Sequence, residues 1–183
     1  MATMNRYLHF MRIIACSLFM YFCITGSLSA QYNAEVVKAA YIERVTRFIE
    51  WPPSGIAKDS VFFVIGVYKE PKFYNTLKEV FKDKTIKERR VRILDITNSD
   101  QMKGCDICYI SEKARPEILK FITEANRLGV LLMSQAENFC EAGIHINFFI
   151  EDDKLKFEIN KQSTDSAKFK LSSLLLRSSK IIQ

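Results

Sequence analysis

Two cysteines three residues apart, Cys105 and Cys108, are the first residues of this 183-residue chain whose spacing carries chemistry. A Cys-x-x-Cys pair serves thiol–disulfide exchange when it opens a helix, because the helix N-terminus lowers the pKa of the reactive sulfur. Here the pair enters CDICYIS over residues 105–111, an apolar, strand-like run. Residues three apart on a strand point to opposite faces, so a bridge between them is geometrically poor. Two buried thiols filling core space is the favoured reading.

Other constellations are thinner still. His145 is the single histidine beyond residue 30, which leaves little material for a Ser-His-Asp triad or a multi-histidine metal site. Cys140 and His145 offer two ligands five residues apart without a companion cluster. Glu151, Asp152 and Asp153 group three carboxylates at an expected hairpin turn and read as solvated turn residues. Glu158, between Phe157 and Ile159, either faces solvent or meets a buried partner. The chain has no glycine-rich phosphate loop, and no pattern calls for a cofactor.

The elements that must position these residues begin with VVKAAYIERVTRFIEWPP, residues 36–53. Val37, Tyr41, Ile42, Val45, Phe48 and Ile49 share one arc at helical spacing, and Glu43, Thr46, Arg47 and Glu50 fall opposite. Pro52 and Pro53 cannot continue a helix, so the chain turns after Trp51, the only tryptophan. An apolar run over 61–68 predicts a strand buried on both faces. A helix over 72–81, a strand over 89–96, a strand over 105–111 and a helix over 116–128 follow, the last carrying Ile118, Leu119, Ile122 and Ala125 inward. Gly129 stands at its C-cap, and a strand over 130–134 comes next. Strands separated by helices imply a mostly parallel sheet with helices on both faces. The last third changes pattern, with two strand-like runs over 143–160 joined at Asp152-Asp153 as a β-hairpin, then a closing helix over 161–182. One α/β domain accounts for residues 31–183.

Residues 1–30 read as a secretory leader. Arg6 and Arg12 precede an apolar run over 13–24, and Gly26, Ser27, Ser29 and Ala30 supply small residues for cleavage near Ala30. That apolar run is short of the roughly 20 residues a spanning helix needs. Cleavage lowers the formal charge from +6 to +4 and leaves Cys105, Cys108 and Cys140, an odd number in a compartment where disulfides form. The lysines are interleaved with acids, and the densest basic cluster, residues 82–92, contains Asp83 and Glu88. Such scattered charge, on an exported protein, argues against nucleic acid as a partner.

The motifs, taken in order, resemble the YfiR-like family of exported periplasmic proteins. They are VKAAY, F-I-E-W-P at 48–52, Ile65-Gly66-Val67, G-C-D-I-x-Y-I-S at 104–111 and Leu132-Met133-Ser134. Phe139, Gly143, Ile146-Asn147-Phe148, F-E-I-N at 157–160 and L-S-S-L-L at 171–175 complete the set. The resemblance implies an α/β sandwich and a regulator rather than a catalyst. Its best understood member represses a membrane-anchored diguanylate cyclase through that enzyme's periplasmic sensing domain, and an outer-membrane lipoprotein relieves the repression. Cys105 and Cys140 match cysteine positions of that pattern, but Phe63 and Asn147 stand where their partners would be. A Cys105–Cys140 bridge stays open, with Cα atoms required roughly 4.4–6.8 Å apart.

A binding protein needs apolar anchors at its surface. The candidates are Trp51 at its corner, Phe48 and Ile49 beside it, Phe148 on the hairpin, and Leu174 and Leu175 in the closing segment, which also offers a homodimer contact. The favoured function is a periplasmic regulator that binds a membrane-anchored sensor. The alternatives are a periplasmic small-molecule binding protein and an exported thiol oxidoreductase.

Overall fold

A computed structural model of the chain describes residues 26–53 and 61–182. The chain divides into two compact units, residues 1–35 and 36–183. The leader expected over residues 1–30 lies almost wholly outside the described residues. Within the described residues, no helix is long and apolar enough to cross a membrane.

In chain order the elements are α1 (Gly26–Thr46), β1 (Ile49–Glu50), β2 (Phe62–Tyr68), α2 (Pro71–Val80), β3 (Thr85–Ile86), β4 (Arg89–Ile96) and β5 (Ile107–Ile110). Then come α3 (Ile118–Leu128), β6 (Leu131–Ser134), β7 (Ile146–Glu151), β8 (Lys154–Asn160), α4 (Lys161–Ser166), β9 (Lys170–Leu171), α5 (Ser173–Arg177) and β10 (Lys180–Ile182). Eight strands form one sheet in the order β10-β8-β7-β6-β5-β2-β4-β3. The pairings β2–β4, β2–β5, β5–β6, β6–β7 and β8–β10 are parallel, whereas β7–β8 and β3–β4 are antiparallel. The chain is therefore an α/β protein with a mostly parallel sheet, as its alternating pattern requires.

Two hydrophobic layers sandwich the sheet. On one face Ala39, Ile42 and Val45 of α1 and Phe73 and Leu77 of α2 pack against Phe63, Ile65, Val67, Met133, Ile146 and Phe148. On the other, Phe121 and Ala125 of α3 meet Val64, Tyr68, Cys108, Ile110 and Leu132. Alternate residues of β2 thus serve both layers, which is why the run lacks polar alternation. Each fully buried phenylalanine contributes about 1.5–3 kcal/mol by leaving water. Gly66 has a separate duty on β2. A Cβ there would lie 3.1 Å from Cys105 Sγ and 3.4 Å from Ile96 Cδ1, so the bare backbone lets these side chains close over the strand.

Local signals explain the ends of elements. Gly129 caps α3 at φ 71°, a left-handed position glycine takes without strain. Asp152 and Asp153 both adopt positive φ, 51° and 56°, as the hairpin's tight two-residue turn demands. Leu119, expected to face inward, is 71 % exposed, and Phe121 is fully buried instead. A 3-10 turn, Glu112–Glu117, holds Pro116 and sets the phase at which α3 starts at Ile118.

Two further expectations change. α1 ends at Thr46, whose hydroxyl donates to Glu43 O, and the chain then pairs Ile49 with Leu171 in the short β1–β9 ladder. The single closing helix over 161–182 is instead two short helices and two short strands. Serine, threonine and asparagine side chains cause the break by bonding nearby backbone in place of helix propagation. Asn160 and Ser172 accept from the amides of Ser163 and Leu175, and Ser178 donates to Leu174 O. Lys168, at φ 64°, turns the chain between α4 and β9.

Candidate functional site

Three of the six anchors expected from the sequence meet at one place. Phe48, Leu174 and Leu175 line a groove of about 240 Å³ with Tyr41, Arg44 and Phe157. α1 supplies Tyr41 and Arg44, the turn after it supplies Phe48, and α5 supplies the leucines. The floor is an aromatic cluster, in which Tyr41 packs edge-on against Phe148 and Phe157 with ring centroids 6.4 and 6.1 Å away. Leu174 stands 51 % exposed at the rim, while Leu175 is buried in the floor. The backbone holds both walls together, since Ser172 N donates to Phe48 O at 3.0 Å. A cleft that joins aromatic and leucine carbon to the Arg44 guanidinium and Ser178 suits an aromatic or aliphatic side chain that has an anionic group nearby.

Ile49 and Phe148 belong to the core, with exposures of 1 % and 0 %. Pairing with β9 buries Ile49, and Phe148 points to the sheet face that α1 covers, so neither is a surface anchor. Trp51 lies apart from the groove, at the corner the prolines dictate. Its ring meets Phe63 and Phe169 edge-on at 5.9 and 6.0 Å, and its Nε1–H donates to Asp106 O at 3.1 Å. Lys87 Nζ sits 5.2 Å above the ring and also donates to Ile49 O at 2.9 Å.

Asp106 organises that corner, although the sequence reading passed over it between two cysteines. Its Oδ2 accepts from Val64 N at 2.7 Å, and Arg89 Nη2 lies 2.5 Å from Oδ1 in a contact that is ionic rather than a well-aligned hydrogen bond. Burial raises the Asp106 carboxyl pKa, and Arg89 with the Val64 amide pulls it partway back.

The thiols and the histidine are buried within the fold. Cys105, Cys108 and Cys140 are free and buried, so the Cys105–Cys140 bridge left open above is not formed. Burial, aided by the Asp106 charge, pushes the Cys105 thiol up to about 11, and burial with the Glu158 charge takes Cys140 up to about 12. Cys108 is raised by burial as well. A thiol enzyme needs the opposite shift. We expect a disulfide-exchange reagent at neutral pH to find no fast thiol in the native protein and all three after unfolding; one fast native thiol would contradict this assignment. His145 Nδ1 accepts from Leu132 N at 2.9 Å, which leaves the proton on Nε2 to bond Asn126 Oδ1 at 3.1 Å. Burial lowers its pKa to about 3, so it is a neutral strut between β6 and α3. Among the described residues no group of three or more His, Cys, Asp or Glu side chains could hold a metal ion.

Comparison with known proteins follows the same fold. The family described as YfiR/HmsC-like matches residues 35–180. No curated protein matches the chain. Among solved structures, a conserved domain protein from Vibrio cholerae aligns at TM-score 0.56 and 11 % identity, over 81 % of this chain and 60 % of that one. A ligand-free, open substrate-binding protein with adhesive properties from Clostridium difficile aligns at TM-score 0.52 and 13 % identity, over 66 % and 54 %. An ABC domain in complex with L-Trp from Streptococcus pneumonia aligns at TM-score 0.50 and 9 % identity, over 76 % and 60 %. The chain thus spans about six-tenths or less of each of these structures, and at such identities the likeness is one of fold.

Proposed function

Because this chain belongs to the YfiR/HmsC-like family, known as periplasmic regulators of cyclic-di-GMP signalling, we propose that it is a non-catalytic repressor of a membrane-anchored sensor. In this reading it binds the periplasmic sensing domain of a diguanylate cyclase and holds the enzyme inactive. An outer-membrane lipoprotein that competes for the same surface would relieve the repression. Cleavage of residues 1–30 would release the domain into the periplasm.

The observation that supports the reading best is the groove. Leu174 projects half-exposed beside a preformed cleft with an aromatic floor, and Arg44 offers a charge at its mouth. One aromatic or aliphatic anchor buried there contributes about 1.5–3 kcal/mol, enough to dominate a small interface. The buried, protonated thiols give the oxidoreductase alternative no support.

Leu174→Arg tests the proposal. Leu174 is exposed, so folding should be unaffected, whereas an arginine placed against the apolar lining and beside Arg44 should weaken sensor binding at least about tenfold. In the source cells, deletion of the protein should raise cyclic-di-GMP, wild type should restore it, and L174R should not. Full complementation by L174R would remove the groove from the mechanism.

A further inference from the structure

Asn147, Glu158 and Lys180 form a polar row across three neighbouring strands. The register sets it, with Asn147 on β7 opposite Glu158 on β8, and Glu158 opposite Lys180 on β10. Ser134 pairs with Asn147 on the other side, so the row lies on the face where α3 packs, away from the groove. Asn147 Nδ2 donates to Glu158 Oε1 at 3.1 Å, and Lys180 Nζ lies 3.5 Å from Glu158 Oε2.

That carboxylate fixes the asparagine's orientation, because a reversed amide would set oxygen against oxygen. Oδ1 therefore turns away from Glu158. It is buried without a hydrogen-bond partner among the described residues, on a side chain whose residue is 3 % exposed. A buried acceptor left unpaired keeps its full desolvation cost, so a donor supplied from outside would be favoured. A cavity of about 330 Å³, lined by this row, opens beside it, with Glu137 and Glu141 exposed at its rim and Phe149 in its wall. Three carboxylates against one lysine give the lining a net negative charge.

An orphan acceptor on a lining side chain, uncovered when Lys180 moves aside, and excess negative charge around it both ask for a cationic N–H donor. We propose that this cavity binds a short alkyl diamine. One ammonium donates to Asn147 Oδ1 and the Glu158 carboxylate, and the second pairs with Glu137 or Glu141 at the rim. The Phe149 ring already faces an ammonium, since Lys180 Nζ lies 5.7 Å from its centroid. Lys180 is the group the ligand displaces. Its side chain is 61 % exposed and its contact with Glu158 is loose, so it swings to solvent at small cost. A bare divalent ion fits less well, for lack of a three-ligand cluster among the described residues.

The test is calorimetric and thermal titration of the exported protein with 1,4-diaminobutane, alongside magnesium chloride at matched ionic strength. The expected result is saturable one-to-one binding that raises Tm with concentration. Glu158→Gln should weaken binding at least about tenfold by removing the charge-assisted bond. Lys180→Ala, a surface change that spares the core, should tighten binding severalfold, and it carries the test if the Glu158 variant does not fold. No heat and no Tm shift up to about 10 mM diamine, equal stabilisation by magnesium, or unchanged affinity in Lys180→Ala would each overturn the proposal.

Discussion

Replacing Asp106 by alanine is expected to destabilise the protein by about 3–5 kcal/mol, the range for breaking a buried ion pair from one side. The substitution strands the Arg89 guanidinium, whose side chain is 16 % exposed and lies 4.9 Å from the Phe63 ring centroid. It also removes the acceptor of the Val64 amide. The stranded groups lie on β4 and β2, next to the Trp51 corner. Urea denaturation followed by the fluorescence of Trp51 reads the effect directly. Asp106→Asn keeps an acceptor for Val64 but loses the charge, so its cost should fall between wild type and alanine. A cost below about 1 kcal/mol for Asp106→Ala would show that the pair is not a structural tie.

Acid should weaken the fold through His145. Its folded pKa, about 3, lies below the ordinary 6.5, so between those values the unfolded chain holds the extra proton. The contribution is fully present above pH 6.5 and is lost as pH falls toward 3, in all on the order of 3–5 kcal/mol. Asp106 acts in the opposite sense. Its raised carboxyl takes up a proton in the folded state first, so it favours folding as pH drops toward the ordinary carboxylate range. His145 has the larger shift and should dominate down to about pH 4. Denaturant midpoints measured from pH 7 to pH 4 should therefore fall steeply in wild type. His145→Gln should be less stable at pH 7 and show a much flatter profile. A variant that retains the wild-type slope would assign the acid sensitivity elsewhere.

What could be read from the residues alone follows how local each determinant is. Gly129, the Asp152-Asp153 turn and the doubly buried β2 declare themselves within a few positions, and each lies where the pattern put it. The C-terminal segment does not, because its leucines keep helical spacing while its serine and asparagine side chains cap and interrupt the backbone. Phe48, Leu174 and Leu175 stand out in the sequence as candidate anchors, but their meeting in one groove, with Leu175 buried in its floor, depends on the β1–β9 pairing between residues far apart in sequence. Ile49 and Phe148 carry the same apolar signal as the exposed Leu174, and only strand pairing and the packing of α1 reveal them as core. Asp106 and Asn147 show in the sequence only as motif members, since each acquires its role from partners on other strands.

The repressor account rests most directly on physical association with a membrane sensor. Exported wild-type protein and L174R would be cross-linked in gently permeabilised source cells, captured, and their co-purifying membrane proteins identified by mass spectrometry. The account predicts that wild type recovers a membrane-anchored diguanylate cyclase through its periplasmic domain and that L174R loses it. Equal recovery of that cyclase by both proteins would contradict a groove-mediated contact, and failure of wild type to recover any membrane sensor would contradict the repressor reading itself.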